Sequence, residues 1–410
     1  MRNPVIISGI SCLTPFGRGL GQAWSKIVRG ERSFGVMPQF SAGPVKPHLC
    51  GLVSDEDIDT CLPSRKFVRL PRYSKLVLSS AAECLRDAGL ERLGKAMDPE
   101  RIGVFLGTAR GPQEAVESIS LKLVEGAPHQ INPLHFQETV YNAPLGHLSI
   151  HYGITGMCVA FSSGQASGLQ ALDAAVSFLD TRKIDLALVG GVDTVTEIYM
   201  RGMADVRVLS PQGGGREETA PFAAARNGTI VGEGGAFLAL ERNDSNRARG
   251  GARYAEIVST AIASDGFSHY RNDPSGKGFE YAIRKCLQGA NLTAKDIHLI
   301  IACASGQPEL DRSEWSGIAS ACGDDAARIP VTSIKGVSGD LGAASQILAV
   351  ALCSEIFKNG LIPGTFHDHP LDPDCPLQII RKSIEAPVET ALLNEASWGG
   401  VNATVFLKKV

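Results

Sequence analysis

Short runs of β-branched residues alternate along the chain with segments in which apolar residues recur three and four positions apart. The runs indicate strands and the segments indicate helices, so the alternation predicts an α/β architecture. The predicted strands cover residues 5–8, 101–106, 184–189, 236–241, 255–260, 298–302 and 403–407. The predicted helices cover residues 21–28, 75–88, 165–180, 278–290 and 343–359. The last helix is apolar on almost every side, which indicates burial between two layers.

Two pairs of segments resemble each other across the chain. Residues 5–16 and 256–267 are each a strand followed by a kink of small residues, and residues 101–111 and 298–307 each run from a strand into a small-residue loop. Such internal similarity predicts two related halves. The stretch NDSNRARGG, residues 243–251, is polar and glycine-rich, as is typical of a boundary. We therefore expect an N-terminal half over residues 1–245 and a C-terminal half over residues 252–410.

The composition is that of a folded chain without a strong overall charge. Of the 410 residues, 44% are hydrophobic and 20% are charged, which excludes a disordered or collagen-like chain. The 40 Lys and Arg and 43 Asp and Glu give a net charge of -3, so no overall field attracts nucleic acid or an anionic membrane. The sequence shows no secretion signal and no apolar run long enough to span a membrane, so we expect a cytoplasmic protein.

The cysteines and histidines offer little support for a metal or redox centre. Ten cysteines are scattered without a Cys-x-x-Cys pair, which is typical of reduced thiols that pack in the core. The sequence His367-Asp368-His369 has metal-ligand residues, but no spaced third or fourth ligand accompanies it. We expect no metal and no other cofactor, and a solvated loop at residues 366–376.

Several segments, in order along nearly the whole chain, carry a family resemblance. They are residues 5–17, 65–90, 137–175, 221–241, 302–342 and 394–406. Together they resemble the β-ketoacyl-acyl carrier protein synthase family, which has the thiolase fold. The resemblance implies an α/β fold of two duplicated βαβ halves in a five-layered α-β-α-β-α arrangement. It also implies a site in which a Cys accepts an acyl group and two His assist decarboxylation of a malonyl thioester.

None of those three catalytic residues is present. The resemblance places Gln165 at the nucleophile position, Ser305 at the first His position and Asp340 at the second. Lys335 is retained, as are the Asp-x-x-Glu spacing of residues 311–314, Gly232-Glu233-Gly234, Gly399-Gly400 and Asn402, whereas Ala223 replaces the Asp that usually follows Pro-Phe. The resemblance therefore implies a retained scaffold without catalytic residues.

Gln at the nucleophile position is the mark of the chain length factor, the β subunit of type II polyketide ketosynthases. This likeness implies a heterodimer with an active ketosynthase α subunit, and an acyl carrier protein that delivers the phosphopantetheine-linked chain. The likeness leaves open whether the pathway is aromatic, aryl polyene or highly reducing.

Other functions also remain open, namely a stand-alone acyl-thioester hydrolase or malonyl decarboxylase, and a homodimeric scaffold. A relocated nucleophile is also possible at Ser162, Ser163, Ser167, Cys158 or Cys303, with His147 or His151 as the base.

The resemblance also nominates residues that bind the chain or the carrier. Leu134, His135, Phe136 and Thr139 precede the Asn-x-x-x-Gly-His-Leu motif, and in the family such residues reach across the dimer interface and close the partner's tunnel. Trp398 stands where the family commonly has a gating Phe, although a packing role is equally consistent with the sequence. Arg65, Lys66, Arg69, Arg72 and Lys75 form a basic cluster that resembles the carrier-docking face. A solvated helix end is the slightly favoured alternative for this cluster.

Overall fold

The computed structural model of the protein describes residues 3–37, 48–93, 97–212 and 215–410. Its strands are β1 (Val5–Thr14), β2 (Gly17–Arg18), β3 (Gly35–Val36), β4 (Leu49–Gly51), β5 (Ile102–Gly107), β6 (Cys158–Phe161), β7 (Leu186–Asp193), β8 (Val231–Gly232), β9 (Gly234–Arg242), β10 (Ala255–Ser264), β11 (Ile300–Ile301), β12 (Pro330–Thr332), β13 (Leu361–Ile362), β14 (Gln378–Ile379), β15 (Ile384–Glu385), β16 (Thr390–Ala396) and β17 (Val401–Lys408). Its α-helices are α1 (Leu20–Ile27), α2 (Asp55–Cys61), α3 (Arg72–Asp87), α4 (Gln113–Val124), α5 (Pro133–Phe136), α6 (Ala143–Tyr152), α7 (Ser167–Asp180), α8 (Glu197–Asp205), α9 (Asn243–Arg249), α10 (Lys277–Ala290), α11 (Pro308–Cys322), α12 (Lys335–Ser338) and α13 (Ala344–Asn359).

The strand order repeats itself about the centre of the molecule. The hydrogen-bonded path is β14-β12-β11-β16-β17-β10-β1-β9-β7-β5-β6. In one half β5 pairs in parallel with β6 and β7, and in the other β11 pairs in parallel with β12 and β16. The antiparallel strands β9 and β17 come next, and β1 pairs antiparallel with β10 at the centre. The two predicted duplicated halves are therefore confirmed in the topology.

Three groups of helices alternate with the strands. Helices α7 and α13 lie in the central core, α3 and α6 pack on the outer side of the N-terminal strands, and α10 and α11 pack on the outer side of the C-terminal strands. Successive side chains of a strand point to opposite faces, so Phe105 of β5 joins the central core while Val104 and Leu106 join the outer one. These layers give the predicted five-layered α-β-α-β-α arrangement.

The strands predicted at residues 5–8 and 298–302 differ from the structure in opposite directions. The strand predicted at residues 5–8 extends to Thr14, and Gly9 allows it to pack closely at the end of α3, because a Cβ there would lie 2.6 Å from the Cβ of Ala88. The strand predicted at residues 298–302 is only Ile300–Ile301. Its parallel pairing with β12 and β16 is limited to these two residues, and the N–H groups of Cys303 and Ala304 beyond it donate to the Glu314 carboxylate. No helix in the described ranges is long and apolar enough to cross a membrane.

Candidate functional site

Gln165 lies at the turn between β6 and α7, where the chain passes from a strand into a buried helix. Gly164 has a φ of +73°, and a Cβ there would lie 2.8 Å from the Cβ of Ser397, so this turn requires glycine. The Ser397 hydroxyl accepts a hydrogen bond from the Ala166 N–H at 2.8 Å. The turn is thereby held against the C-terminal loop with Gln165 half-buried. A carboxamide at this turn cannot form an acyl thioester.

Ser305 is fully buried in the loop that follows β11. Its main-chain N–H donates to Asp311 Oδ1 at 2.9 Å, and its hydroxyl accepts from Gln307 Nε2 at 3.0 Å. Asp311 and Glu314, on one face of α11, bind the N–H groups of residues 303–306, so their retained spacing positions this loop. Burial raises the pKa of Asp311 to about 6 and that of Glu314 to about 7, despite those N–H donors.

Asp340 is buried beside Lys335, whose Nζ lies 3.7 Å from Asp340 Oδ1. Asp340 Oδ1 also accepts the Gly342 N–H at 3.0 Å. The Asp340 main chain is fixed as well, because its N–H donates to the Ile230 carbonyl and its carbonyl accepts the Gly232 N–H, both at 2.8 Å. The position that the resemblance assigns to the second His therefore holds a buried carboxylate whose Oδ1 is bound within the fold.

Glu395 is the main residue of this site that the sequence did not indicate. Its carboxylate accepts from Lys335 Nζ at 3.1 and 3.0 Å, and both side chains are fully buried. Burial lowers the pKa of Lys335, but the charges of Asp340 and Glu395 outweigh burial and raise it overall. Burial raises the pKa of Glu395, and the charge of Lys335 opposes that shift and favours the carboxylate. The requirement that a buried ammonium be paired was the available signal, but a sequence does not show that Lys335 is buried.

Hydrogen bonds connect the three degenerate positions through the loops that hold them. The Ser333 hydroxyl donates to the Ala304 carbonyl at 2.6 Å and accepts from the Lys335 N–H at 3.3 Å, which joins the Ser305 loop to α12. Lys335 bonds to Glu395 on β16, two residues before Ser397. Since Ser397 binds the Gly164 turn, the structure brings Gln165, Ser305, Lys335 and Asp340 into one connected region.

The relocated-nucleophile hypothesis finds no geometry to support it in the described part of the chain. The Ser167 hydroxyl donates to the Gly164 carbonyl at 2.6 Å instead of to a base. His147 bonds to Glu138 at 2.7 Å, and the His151 ring packs edge-on against Phe67. Burial, followed by the charge of Glu314, raises the pKa of Cys303 well above its usual range, and burial raises that of Cys158. No hydrogen bond among the described residues links a histidine to Ser162, Ser163 or Ser167.

Arg110 is a second residue whose role the sequence did not indicate. Its side chain is buried behind the site, where Nη1 donates to the Gly232 carbonyl at 2.7 Å and Nη2 donates to the Asp340 carbonyl at 3.2 Å. Its guanidinium also lies 4.5 Å from the centre of the Tyr199 ring. A fixed cation therefore occupies the interior next to Asp340 and reduces the space available to an apolar ligand there.

The nominated tunnel residues lie on the surface of the chain. Leu134 and Phe136 are each 67% exposed, and His135 is exposed beside them. Thr139 is half-buried and borders a 370 Å³ cavity that also contains Arg110. Leu134, His135 and Phe136 are therefore open to solvent and line no tunnel within this chain. Trp398 is half-buried and borders a separate 690 Å³ cavity.

The basic cluster divides into two groups. Arg65, Lys66 and Arg69 are exposed. Arg72 was predicted as a candidate docking cation, but it is not free in the structure. Its Nε lies 3.1 Å from both oxygens of the buried Glu233 carboxylate. Lys75 likewise pairs with Asp59 at 2.8 Å. Arg72 is part of the internal structure because an unpaired Glu233 would be a buried charge.

The His367-Asp368-His369 sequence forms hydrogen bonds, and no metal site is found among the residues that the structure describes. No group of three or more His, Cys, Asp or Glu in the described ranges could hold a metal ion. His367 bonds to the Pro221 carbonyl at 2.8 Å, and His369 pairs with Glu218. The His-Asp-His sequence thus belongs to a hydrogen-bonded loop, in keeping with the expected loop at residues 366–376.

Family models and a curated protein match this chain over most of its length. The family model described as the N-terminal domain of β-ketoacyl synthase matches residues 2–246, and the model of the C-terminal domain matches residues 254–369. The chain is 26% identical over 408 residues to a 3-oxoacyl-acyl-carrier-protein synthase 2 from Staphylococcus aureus strain N315, a match that covers 99% of this chain and 98% of that protein.

Two solved ketosynthase complexes share the fold. The ishigamide ketosynthase/chain length factor superposes with a TM-score of 0.93 at 21% identity, covering 100% of both chains. A ketosynthase in complex with its chain length factor from Xenorhabdus doucetiae superposes with a TM-score of 0.84 at 20% identity, covering 100% of this chain and 98% of that one. At these identities the likeness establishes the fold. Since the two family models together cover most of the sequence, the chain belongs to the β-ketoacyl synthase family.

Proposed function

We propose that this chain is a non-catalytic chain length factor. It pairs with an active β-ketoacyl-acyl carrier protein synthase and shapes the tunnel for the growing chain during decarboxylative condensation of malonyl-acyl carrier protein. The observation that carries the proposal is the content of the site: Gln165, Ser305 and Asp340 stand at the positions of the nucleophile and the two histidines. None of the three provides an activated nucleophile or a histidine proton donor.

The electrostatics of the site argue against a malonyl decarboxylase. Decarboxylation of malonyl thioester develops an enolate, which requires hydrogen-bond donors aimed at its oxygen. Asp340 is buried and presents an acceptor, and the Ser305 hydroxyl is engaged by Gln307. The cation of Lys335 is bound by Glu395 and lies beside Asp340. The site therefore offers an anion neither a histidine donor nor an unpaired cation.

The surface of residues 113–161 supports association with a second chain. This segment contains more than half of the large hydrophobic side chains that are exposed in the described residues, namely Val116, Leu121, Leu123, Val124, Leu134, Phe136, Val140, Tyr141, Ile150 and Met157. It also contains β6, which ends the strand path with one side unpaired in this chain. Exposed apolar patches and open strand edges are typical of protein interfaces.

The solved relatives and the exposed cations suggest the partners. Two structures that share the fold are named as a ketosynthase with its chain length factor, and each is a precedent for a pair. We assign the partner on that basis to a catalytic ketosynthase rather than to a second copy of this chain. Arg65, Lys66 and Arg69 remain candidates for contact with an acidic carrier protein.

The test is co-expression with the ketosynthase that is encoded nearest to this chain, followed by an elongation assay with malonyl-acyl carrier protein. Product is read by intact mass from each chain alone and from the pair. We expect product from the pair only, with no loss in a Gln165→Ala variant. Phe136→Ala should lengthen the product by one or more units, because it removes a large exposed ring at the proposed interface.

A matched control is Phe267→Ala, which removes a ring that is 54% exposed in the other half of the chain. It should leave product length unchanged. Thioester turnover by this chain alone would contradict the proposal. Loss of that turnover in Gln165→Ala or Ser305→Ala would then support the stand-alone hydrolase or decarboxylase.

A further inference from the structure

A large cavity lies apart from the degenerate catalytic positions. It has a volume of about 1100 Å³ and is formed by residues next to α1, the segment around residue 216, and the loop and strands of residues 366–384. Its lining includes neither Gln165, Ser305, Lys335 nor Asp340. The proposed chain length role therefore gives this cavity no task.

Basic side chains predominate in the lining. Arg32, Arg216, Arg381 and Lys382 face two carboxylates, Glu218 and Asp368. Glu218 is already paired with His369. Four cations thus share the cavity with two carboxylates, which leaves an excess of positive charge.

Main-chain carbonyls orient two of the guanidiniums. Arg32 Nη2 donates to the Phe366 carbonyl at 2.8 Å, and Arg381 Nη2 donates to the His367 and His369 carbonyls, both at 3.1 Å. A carbonyl positions a guanidinium but leaves its charge uncompensated. These contacts therefore present oriented cations whose remaining N–H groups are available to a ligand.

Arg216 is close enough to Arg32 for the two cations to repel each other. Burial lowers the pKa of Arg32, and the charge of Arg216 lowers it further, while Glu218 and Asp368 act in the opposite direction. Neither Arg216 nor Lys382 has an ion-pair partner within the described ranges. Like charges held together in this way are relieved when an anion binds between them.

The cavity also has an apolar wall. Phe366 is half-buried, and Ile384 is 38% exposed at the edge of the cavity. An anion with an organic body would place its charge on the arginines and its body against these side chains. Guanidiniums match the geometry of phosphate oxygens, so phosphate is the favoured anionic group.

We propose that this cavity binds a small molecule that carries a phosphate or diphosphate group on an apolar or aromatic body. The juxtaposition of Arg32, Arg216, Arg381 and Lys382 beside Phe366 and Ile384 is what assigns the site. The assignment stands independently of the chain length role, because it involves none of the residues on which that role depends.

Isothermal titration calorimetry of the full chain, alone or with its co-expressed partner, tests the site with inorganic pyrophosphate and with ADP. Both should bind, and ADP should bind more tightly because its base can contact the apolar wall. Arg32→Gln and Lys382→Gln should each weaken binding about tenfold, the equivalent of one charge-assisted hydrogen bond. Lys382 is exposed, so its variant should fold even if Arg32→Gln does not.

Two control variants, Arg328→Gln and Lys358→Gln, remove exposed cations outside the cavity and should leave binding unchanged. The proposal is overturned if neither probe binds at 10 mM, or if Lys382→Gln binds both probes as tightly as the unmodified chain. Tighter binding of pyrophosphate than of ADP would overturn the assignment of an apolar body. None of these results depends on condensation activity, so failure here is distinguishable from failure of the chain length proposal.

Discussion

Lys335 is the residue on which the interior electrostatics of the site depend. Its ammonium lies 3.0 Å from Glu395 and 3.7 Å from Asp340, with all three side chains buried. Replacing it by methionine, in Lys335→Met, leaves two carboxylates facing each other without a cation. Loss of one partner from a buried ion pair costs about 3–5 kcal/mol, so the free energy of unfolding in urea should fall by about that amount.

The control for this experiment is an ion pair on the surface. Glu280→Gln breaks the pair between Glu280 and Arg284, which are 2.9 Å apart and one turn apart on α10. Exposed helical pairs contribute about 0.3–0.5 kcal/mol, so this variant should be nearly as stable as the unmodified chain. Equal stability of the Lys335→Met and Glu280→Gln variants would show that Lys335 is not held as a charge in the interior.

Asp311 should produce a pH dependence of its own. Burial raises the pKa of its carboxyl to about 6 in the folded state, from an ordinary value of about 3.9. The folded chain therefore keeps a proton that the unfolded chain loses between these values, and this contribution to the free energy of unfolding is lost as pH rises from about 4 to about 6. An Asp311→Asn variant lacks this titration.

Urea unfolding of both proteins between pH 4.5 and 7 measures the effect. As pH rises, the unmodified chain should lose on the order of 2 kcal/mol of unfolding free energy relative to the Asp311→Asn variant. The quantity to compare is the slope of this stability difference against pH. Its absolute value is less informative, because the variant also disturbs the N–H groups of residues 222, 305 and 306 at every pH. A difference that stays constant over this range would contradict the raised pKa.

At the scale of elements, the start of α7 depends on the end of β16. The Ala166 N–H donates to Ser397, so Ser397→Ala would leave that buried N–H without its partner. An unsatisfied buried donor costs about 1–3 kcal/mol, and we expect that loss in the free energy of unfolding. Thr181→Ala removes an exposed hydroxyl bond to the Ser177 carbonyl at the other end of the same helix, and it should cost less than about 0.5 kcal/mol. Equal losses of unfolding free energy in the two variants would show that the Ser397 hydroxyl does not stabilise the turn at Gly164.

Secondary structure was predictable where one local pattern decides it. Helix α13 is apolar along its length and lies between the layers, as the sequence predicts, with thirteen buried residues. The strand at residues 298–302 was predicted too long, because only Ile300 and Ile301 pair with the neighbouring strands β12 and β16. The internal pairing of Arg72 was not predicted either. Its partner, Glu233, is 161 residues away, and such separations do not appear in local composition.

The degenerate site was only partly predictable. The family resemblance assigns Gln165, Ser305 and Asp340 through short local motifs, and the structure places all three in one connected region. Glu395 and Arg110 lie outside those motif positions and reach the site through strands β16 and β5 and the sheet order between them. The order of the strands in the sheet determines which buried charges meet. That order cannot be read from the sequence pattern around either residue.

At the scale of the whole molecule, the two halves differ in what they leave uncovered. The strand path ends in β6 on one side, and the segment around β6 carries Ile150 and Met157, which are 78% and 38% exposed. In the C-terminal half, the corresponding strand β12 is followed in the path by β14. The path thus ends at the two-residue strand β14 in one half and at β6 in the other, and the exposed apolar segment beside β6 favours that edge for the proposed partner.

Ile150→Glu tests this surface without disturbing the fold of the chain, because the side chain projects from α6 and is 78% exposed. A charge there would be desolvated on association, which costs more than one kcal/mol when the charge has no partner, so co-purification of the ketosynthase should fall by about tenfold or more. Tyr281→Glu places the same charge on α10, where the ring is 52% exposed, and should leave co-purification unchanged. Loss of the partner in both variants would indicate a nonspecific effect of charge. Retention in both would place the interface away from β6, and the exposed apolar segment would then require another occupant.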